Sequence, residues 1–314
     1  MGDEKRYKFR GSMLLLLTAV IWGTSFIATK SGAETIGPFA FNSIRSFIGG
    51  IALIPVIALP IGKKQKHISG KGGYKDLLKG GVLCGVALFL AGAFQQIGIL
   101  YTSAGKTGFI TSLYVVMVPV LQIFFRKKVK AGLWVCVIAA LVGFCMLSMN
   151  GSGSIQKGDV LIFIGAFWFA VHILIINHYA GIVDNVKMSC IQFFSCGTIA
   201  AVGMLVIDPL LGFAPLNITN LNSSAAALMY SGIMACSVAY TLQIVGQRMT
   251  DSVVASLILS LESVFAVISG ALIFGERMVV RETVGCVLIF AAVVAAQFFS
   301  QEKRKPGNTG VQNK

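Results

Sequence analysis

Residues 97–114 read IGILYTSAGKTGFITSLY. Gly105-Lys106-Thr107 are the letters that close a nucleotide-binding P-loop, so their reading decides between a soluble nucleotide-binding sheet and another architecture. A P-loop needs a glycine five positions before Gly105, where the chain turns out of a strand and aims backbone N–H groups at phosphate; position 100 is Leu. The nearest upstream glycine is Gly98, and the run before it is too long and apolar for one strand. The P-loop reading fails. The triplet is instead a short polar interruption between two apolar stretches.

Working outward, the whole chain has this texture. Of 314 residues, 56% are apolar and only 12% charged, with a mean hydropathy of +0.81. Globular domains carry about 25% charged residues. A membrane class follows, in which each span needs about 20 mostly apolar residues to cross about 30 Å of hydrocarbon. Such runs fall at about 13–30, 38–60, 77–100, 105–125, 132–150, 158–178, 187–207, 224–246, 252–274 and 279–299. The expected fold is an all-α integral membrane protein of ten transmembrane helices. The longest connection, 61–76, leaves no room for a soluble ATPase domain.

The formal charge of +14 is distributed by side. With the N-terminus inside, twenty Lys and Arg fall on the inner segments and five (Lys30, Lys106, Lys157, Arg277, Arg281) on the outer, while Arg45 lies within a span. This is the positive-inside pattern, with both termini cytoplasmic and anionic headgroups, not nucleic acid, as the partner of the basic segments. The basic N-terminus followed by an apolar run has no clear cleavage site, so it reads as a retained first helix. The seven cysteines sit in apolar runs without metal spacing and read as small core fillers; no metal site or cofactor is expected. Two glycosylation sequons, at Asn217 and Asn222, read as chance matches in an Asn/Ser-rich loop.

The chain echoes itself. LTAVIWGTSFIATK answers FIGAFWFAVHILIIN, setting Trp22 against Trp168, and FNSIRSFIGGIALIP answers MSCIQFFSCGTIAAV, setting Arg45 against Gln192. TSAGKTGFITSLYVV answers TDSVVASLILSLESV, pairing Ser112-Leu113 with Ser260-Leu261 and Tyr114 with Glu262. The predicted units are a cytoplasmic segment 1–12, five-helix repeats at 13–150 and 158–300, and a cytoplasmic tail 301–314. Five is odd, so the second copy enters from the opposite side: two inverted five-helix repeats, the arrangement of secondary transporters. In this frame Gly105-Lys106-Thr107 opens the fourth span, and Lys106 reads as a snorkelling lysine at the outer mouth.

Trp22-Gly23-x-x-Phe26 in the first span, Arg45 in the second, YTSAGKTGFITSLYVVMVP at 101–119, and SLESVF at 260–265 followed by FGE at 274–276 together resemble the EamA family of drug/metabolite transporters. The resemblance covers about 13–300. It implies a ten-helix carrier of the inner or plasma membrane, an exporter of amino acids, other small metabolites or drugs. Ser263 stands where the family often has Pro after the glutamate, which removes the expected cause of a kink there.

A charge at the bilayer centre costs about 2.5 to 3.5 kcal/mol on insertion scales, so intramembrane Arg45 and Glu262 should face a cavity or a partner. Two readings stand: Arg45 as an anion anchor with Glu262 as a proton or amine site, or structural groups that pair with each other or with helix ends and fix the halves together. Residues three, four and seven apart share a helix face, which groups Trp22 and Ser25 with Thr18 and Thr29. It likewise groups Thr111 and Tyr114 with Thr107 and Gln122; Trp168 and His172 with Tyr179; Tyr240 and Gln243 with Gln247; and Ser256 and Ser260 with Ser252 and Ser263. Glu262 borders the last stripe, and Gln192 replaces Arg45 in the second copy. These are the substrate-cavity candidates. The fifth and tenth spans lack such stripes and should lie off the cavity.

The expected function is secondary transport of a small molecule by alternating access; proton coupling and a homodimer are both compatible with the sequence. A pore or scaffold is the competing class, but a pore calls for a ring of like polar groups. An intramembrane enzyme would need a zinc pattern, a nucleophile elbow or paired carboxylates, which the sequence lacks. In a variant stripped of native cysteines, new cysteines in the 61–76 loop and in the C-terminal tail should be labelled only from the cytoplasmic side; labelling of either from outside would overturn the topology.

Overall fold

The computed structural model describes residues 2–58, 73–121, 131–148, 155–179, 182–249, 258–275 and 277–300. In chain order the helices are α1 (Gly2–Ile36), α2 (Pro38–Ala58), α3 (Tyr74–Ile99), α4 (Ala104–Thr111), α5 (Tyr114–Leu121) and α6 (Ala131–Ser148). Then follow α7 (Lys157–Tyr179), α8 (Asn185–Leu210), α9 (Ile218–Met229), a π-helical segment (Tyr230–Ala239), α10 (Tyr240–Met249), α11 (Glu262–Phe274) and α12 (Val280–Ser300). With α4 joined to α5 and α9 to α10, these form ten rods. Six are long and apolar enough to cross a membrane, and α4–α5, α6 and α11 hold shorter apolar stretches. The basic N-terminal stretch is continuous helix with the first span.

Local chemistry sets the helix ends. Ser103 caps α4 by accepting a hydrogen bond from the Lys106 N–H at 3.1 Å. Asp184 caps α8 through the N–H groups of Val186 and Lys187 at 3.0 and 3.1 Å. At α9, Asn217 and Asn220 each accept from the other's N–H at 2.9 Å, a capping box that gives the first sequon asparagine a structural task. The α1–α2 turn is made by Gly37, whose φ of +93° suits a residue without Cβ.

The turns after α1, α3 and α11 gather at one end of the bundle, here called the upper face: Gly158 lies against Tyr101, Lys30 over the Phe274 ring, and Asp208 against the start of α2. The packing is exchange-like between the halves. α3 lies along α7 as α1 lies along α9–α10; α3 and α8 touch as do the π segment and α2; α1 meets α11 as α7 meets α4 and α5. α2 pairs with α8 and α6 with α12. Gly81 and Gly85 let α3 approach α8: a Cβ on Gly85 would stand 2.5 Å from Cβ of Ser195 and 2.8 Å from the Gln192 carbonyl oxygen. α6 and α12 bury Phe144, Cys286 and Ile289 between them and turn Val135, Ile138 and Val287 outward. Five cysteines are buried, Cys190 is half-buried and Cys145 is exposed.

Two rods are interrupted at matching places. α4 stops at Thr111 and α5 begins at Tyr114, with Ser112-Leu113 as the turn; Ser260-Leu261 is the turn before α11 begins at Glu262. Ser112 and Ser263 turn their hydroxyls back onto the carbonyls of Gly108 and Ser260, at 2.9 and 2.8 Å. The second break forms without the proline that would have explained it. The π segment interrupts a third rod with a wider hydrogen-bond pattern, a feature concentrated at functional sites.

At the upper face the Asp208 carboxylate of α8 accepts from the Phe39 and Ala40 N–H groups at 3.1 and 2.8 Å, capping α2 from the other half. Asp208→Ala should therefore remove about 1 to 2 kcal/mol of stability, seen as a fall of several degrees in the melting temperature of the detergent-purified protein. An unchanged melting temperature would show that the cap contributes nothing.

Candidate functional site

A cavity of about 120 Å³ lies between the halves. The volume is well above the about 10–15 Å³ that a single water needs, so it holds a few waters or a small solute. Trp22, Ser25, Arg45, Thr111 and Tyr114 reach it from the first half, and His172, Tyr240, Gln243 and Glu262 from the second. The other candidates sit elsewhere. Gln192 is buried behind the lining, where its Oε1 lies 3.0 Å from His172 Nε2. Ser260 is buried in the α11 turn. Trp168 stacks edge-on with Phe167 at 5.7 Å, away from the cavity. Ser256, Ser252 and Gln122 fall outside the described residues.

The polar wall is built around Glu262, only 4% exposed. Tyr114 donates its hydroxyl to Glu262 Oε1 at 3.3 Å, so the first residue after one broken helix meets the first residue after the other. Gln95 of α3 donates to the Thr111 hydroxyl at 2.9 Å. On α2, Arg45 Nε donates to Asn42 Oδ1 at 3.2 Å, and the guanidinium lies 5.9 Å from the centre of the Phe41 ring. A guanidinium and a carboxyl group thus open on one small space from opposite halves.

Tyr240 organises the aromatic part. Its ring meets Trp22 edge-on at 5.1 Å, Phe193 at 5.4 Å and His172 at 6.5 Å. Trp22 Nε1 donates to the Ala235 carbonyl at 3.0 Å, tying α1 to the π segment, and Ser25 donates to the Trp22 carbonyl at 2.7 Å. An apolar part of the wall is made by Leu88, Phe169, Ile173, Ile176 and Phe193. On α7 the lining face is thus Phe169, His172, Ile173 and Ile176, one step round the helix from Trp168.

Sequence reasoning missed Asn42, Ser46 and Gln95. The signal existed: Asn42 and Ser46 share a helix face with Arg45, and Gln95-Gln96 is a polar pair inside an apolar span. Lys106, read as snorkelling, is instead 6% exposed and ion-paired with Glu282. Among the described residues no group of three or more His, Cys, Asp or Glu could hold a metal ion.

A family model described as the EamA-like transporter family matches residues 9–149 and again 156–296. A protein of Archaeoglobus fulgidus named "Uncharacterized transporter" is 31% identical over 299 residues, which is 93% of this chain and 87% of its own length. One of the same name from Clostridium kluyveri is 26% identical over 292 residues, covering 89% of this chain and 90% of its own. A solved crystal structure matches with a TM-score of 0.65 at 15% identity, over 95% of this chain and 99% of its own, which speaks to fold alone. The chain is a multi-pass membrane protein and belongs to the EamA-like transporter family.

Proposed function

We propose that the protein is a secondary carrier, independent of nucleotide, that exports a small polar or amphipathic metabolite such as an amino acid or a drug. It sits in the cell membrane with both termini in the cytoplasm, and the units 13–150 and 158–300 rock as inverted repeats about the central cavity. The observation that carries this reading is the cavity itself, lined from both halves with Arg45 and Glu262 both on its wall. Further support comes from the exchange-like helix packing, from helix breaks at Ser112-Leu113 and Ser260-Leu261, and from the family match falling twice along the chain. Broken helices at mid-bundle are where secondary carriers hold substrate and coupling ion.

The walls suggest the cargo. Arg45 complements a carboxylate or other anion, and Glu262 an amine or a proton. The apolar side, Leu88, Phe169, Ile173, Ile176 and Phe193, suits an uncharged organic body. The cavity volume suits a small solute.

The medium of cells that carry the protein should be enriched in at least one such metabolite relative to cells that lack it. Glu262→Gln keeps size and hydrogen bonding while removing the charge; it should lower export about tenfold or more, equivalent to about 1.4 kcal/mol of lost interaction, at unchanged membrane abundance. Normal export with an unchanged pH profile would end the transport role of Glu262. If Glu262→Gln instead destabilises the protein and Arg45→Gln made alongside restores it, the two residues form a structural pair.

A further inference from the structure

The upper face carries a second cavity, of about 260 Å³, between the α3–α4 turn and the α11–α12 turn. Its lining is mostly polar, with Thr102, Ser103, Lys106, Gln156, Arg277 and Glu282 beside Val267 and Met278. Between it and the central cavity run α4 and α11, which belong to different halves. Their seam is tight. A Cβ on Gly108 would come 2.6 Å from Cβ of Ala266, and one on Gly105 would come 3.1 Å from Cγ2 of Val267.

Lys106 is out of place by the rules of helix electrostatics. It lies in the first turn of α4, where the helix dipole repels a cation, and it is buried. Glu282 is what holds it: Lys106 Nζ stands 2.5 Å from Glu282 Oε1, with the side chains 8% and 14% exposed. Glu282 Oε2 meanwhile accepts from the Val279 N–H at 3.1 Å, at the start of α12. The charge contact of its ammonium is across the halves. Nearby, Lys30 of α1 lies 5.2 Å from the centre of the Phe274 ring of α11, a second cation contact between the halves on this face.

We propose that the Lys106–Glu282 pair is the latch of an outer gate made by α4 and α11, and that the polar vestibule above it is the outer mouth of the transport pathway. This rests on the carrier reading of the central cavity. An ion pair beside a water-accessible vestibule suits a latch. When the seam is shut the two charges satisfy each other, and when it parts both are handed to water, so neither state leaves a bare charge buried. Removing one partner leaves the other uncompensated only in the closed state, which shifts the population toward open.

The test uses Cys236, which lines the central cavity behind the seam. In a parent with the other six cysteines replaced, a membrane-impermeant maleimide is applied from outside and, separately, from inside. Glu282→Gln, which keeps the Val279 cap but loses the charge, and Lys106→Gln should each raise the outside labelling rate of Cys236 severalfold. The exchange Lys106→Glu with Glu282→Lys should bring it back toward the parent rate. Equal rates in the parent and both single variants, an exchange variant as fast as the singles, or acceleration only from inside would each overturn the latch. On the protein with its native cysteines, hydrogen–deuterium exchange gives an independent measure. Glu282→Gln should speed exchange in 104–111 and 262–270 and leave 131–148 unchanged, whereas uniform acceleration or none would also overturn it. Wild-type flux with latch-independent labelling rejects the latch alone. Latch-dependent labelling without any wild-type flux rejects the carrier reading and leaves the moving seam.

Discussion

A carboxyl group in the middle of an apolar helix bundle must be met by something, and Glu262 is met by Tyr114. Much else follows from that contact. Both residues stand at helix starts produced by breaks in their rods, and those breaks let two side chains from different halves point at each other. Around them the bundle holds Arg45, His172 and Tyr240 at the edge of one cavity instead of excluding them into separate packing contacts. Polar residues in a membrane chain are expensive, so gathering them at one junction limits where that expense arises.

The cavity sits at a seam whose two sides are held differently. At its centre the contacts are aromatic edges and single hydrogen bonds, such as Trp22 to the Ala235 carbonyl. Toward the upper face they become charged: the Asp208 carboxylate on the start of α2, and Lys106 on Glu282. Meanwhile α6 and α12, one from each half, bury a shared apolar core away from the cavity and tie the halves together on that flank. An apolar joint on one flank and a polar seam around the cavity are what rocking of one half against the other would need.

The ten rods were legible because lipid demands length and apolarity, and those are written as runs in the sequence. The correspondence of Tyr114 with Glu262 was legible from the internal echo, but that the two touch was not, because a sequence alignment carries no distances. The breaks at Ser112 and Ser260 left only a hydroxyl as their trace, without glycine or proline. Trp168 lies four residues from His172, which places it on the lining by helical spacing; the structure turns α7 by one residue and presents Phe169 instead, a choice made by the neighbours α3, α4 and α5. Lys106 was misread because its partner, Glu282, is far away in the chain, and a snorkelling lysine needs no partner. The π segment has no sequence mark recognisable at all.

The central claim is that a solute bound between the halves crosses with them. Purified protein reconstituted into vesicles, loaded with the metabolite that profiling identifies, should take up labelled metabolite from outside in a saturable manner. Uptake should run faster when unlabelled metabolite is present on the far side, because a loaded carrier returns more readily than an empty one. Counter-flow stimulation is the expected result for a carrier. Flux that is linear in concentration and indifferent to the far side would contradict it and would describe a pore.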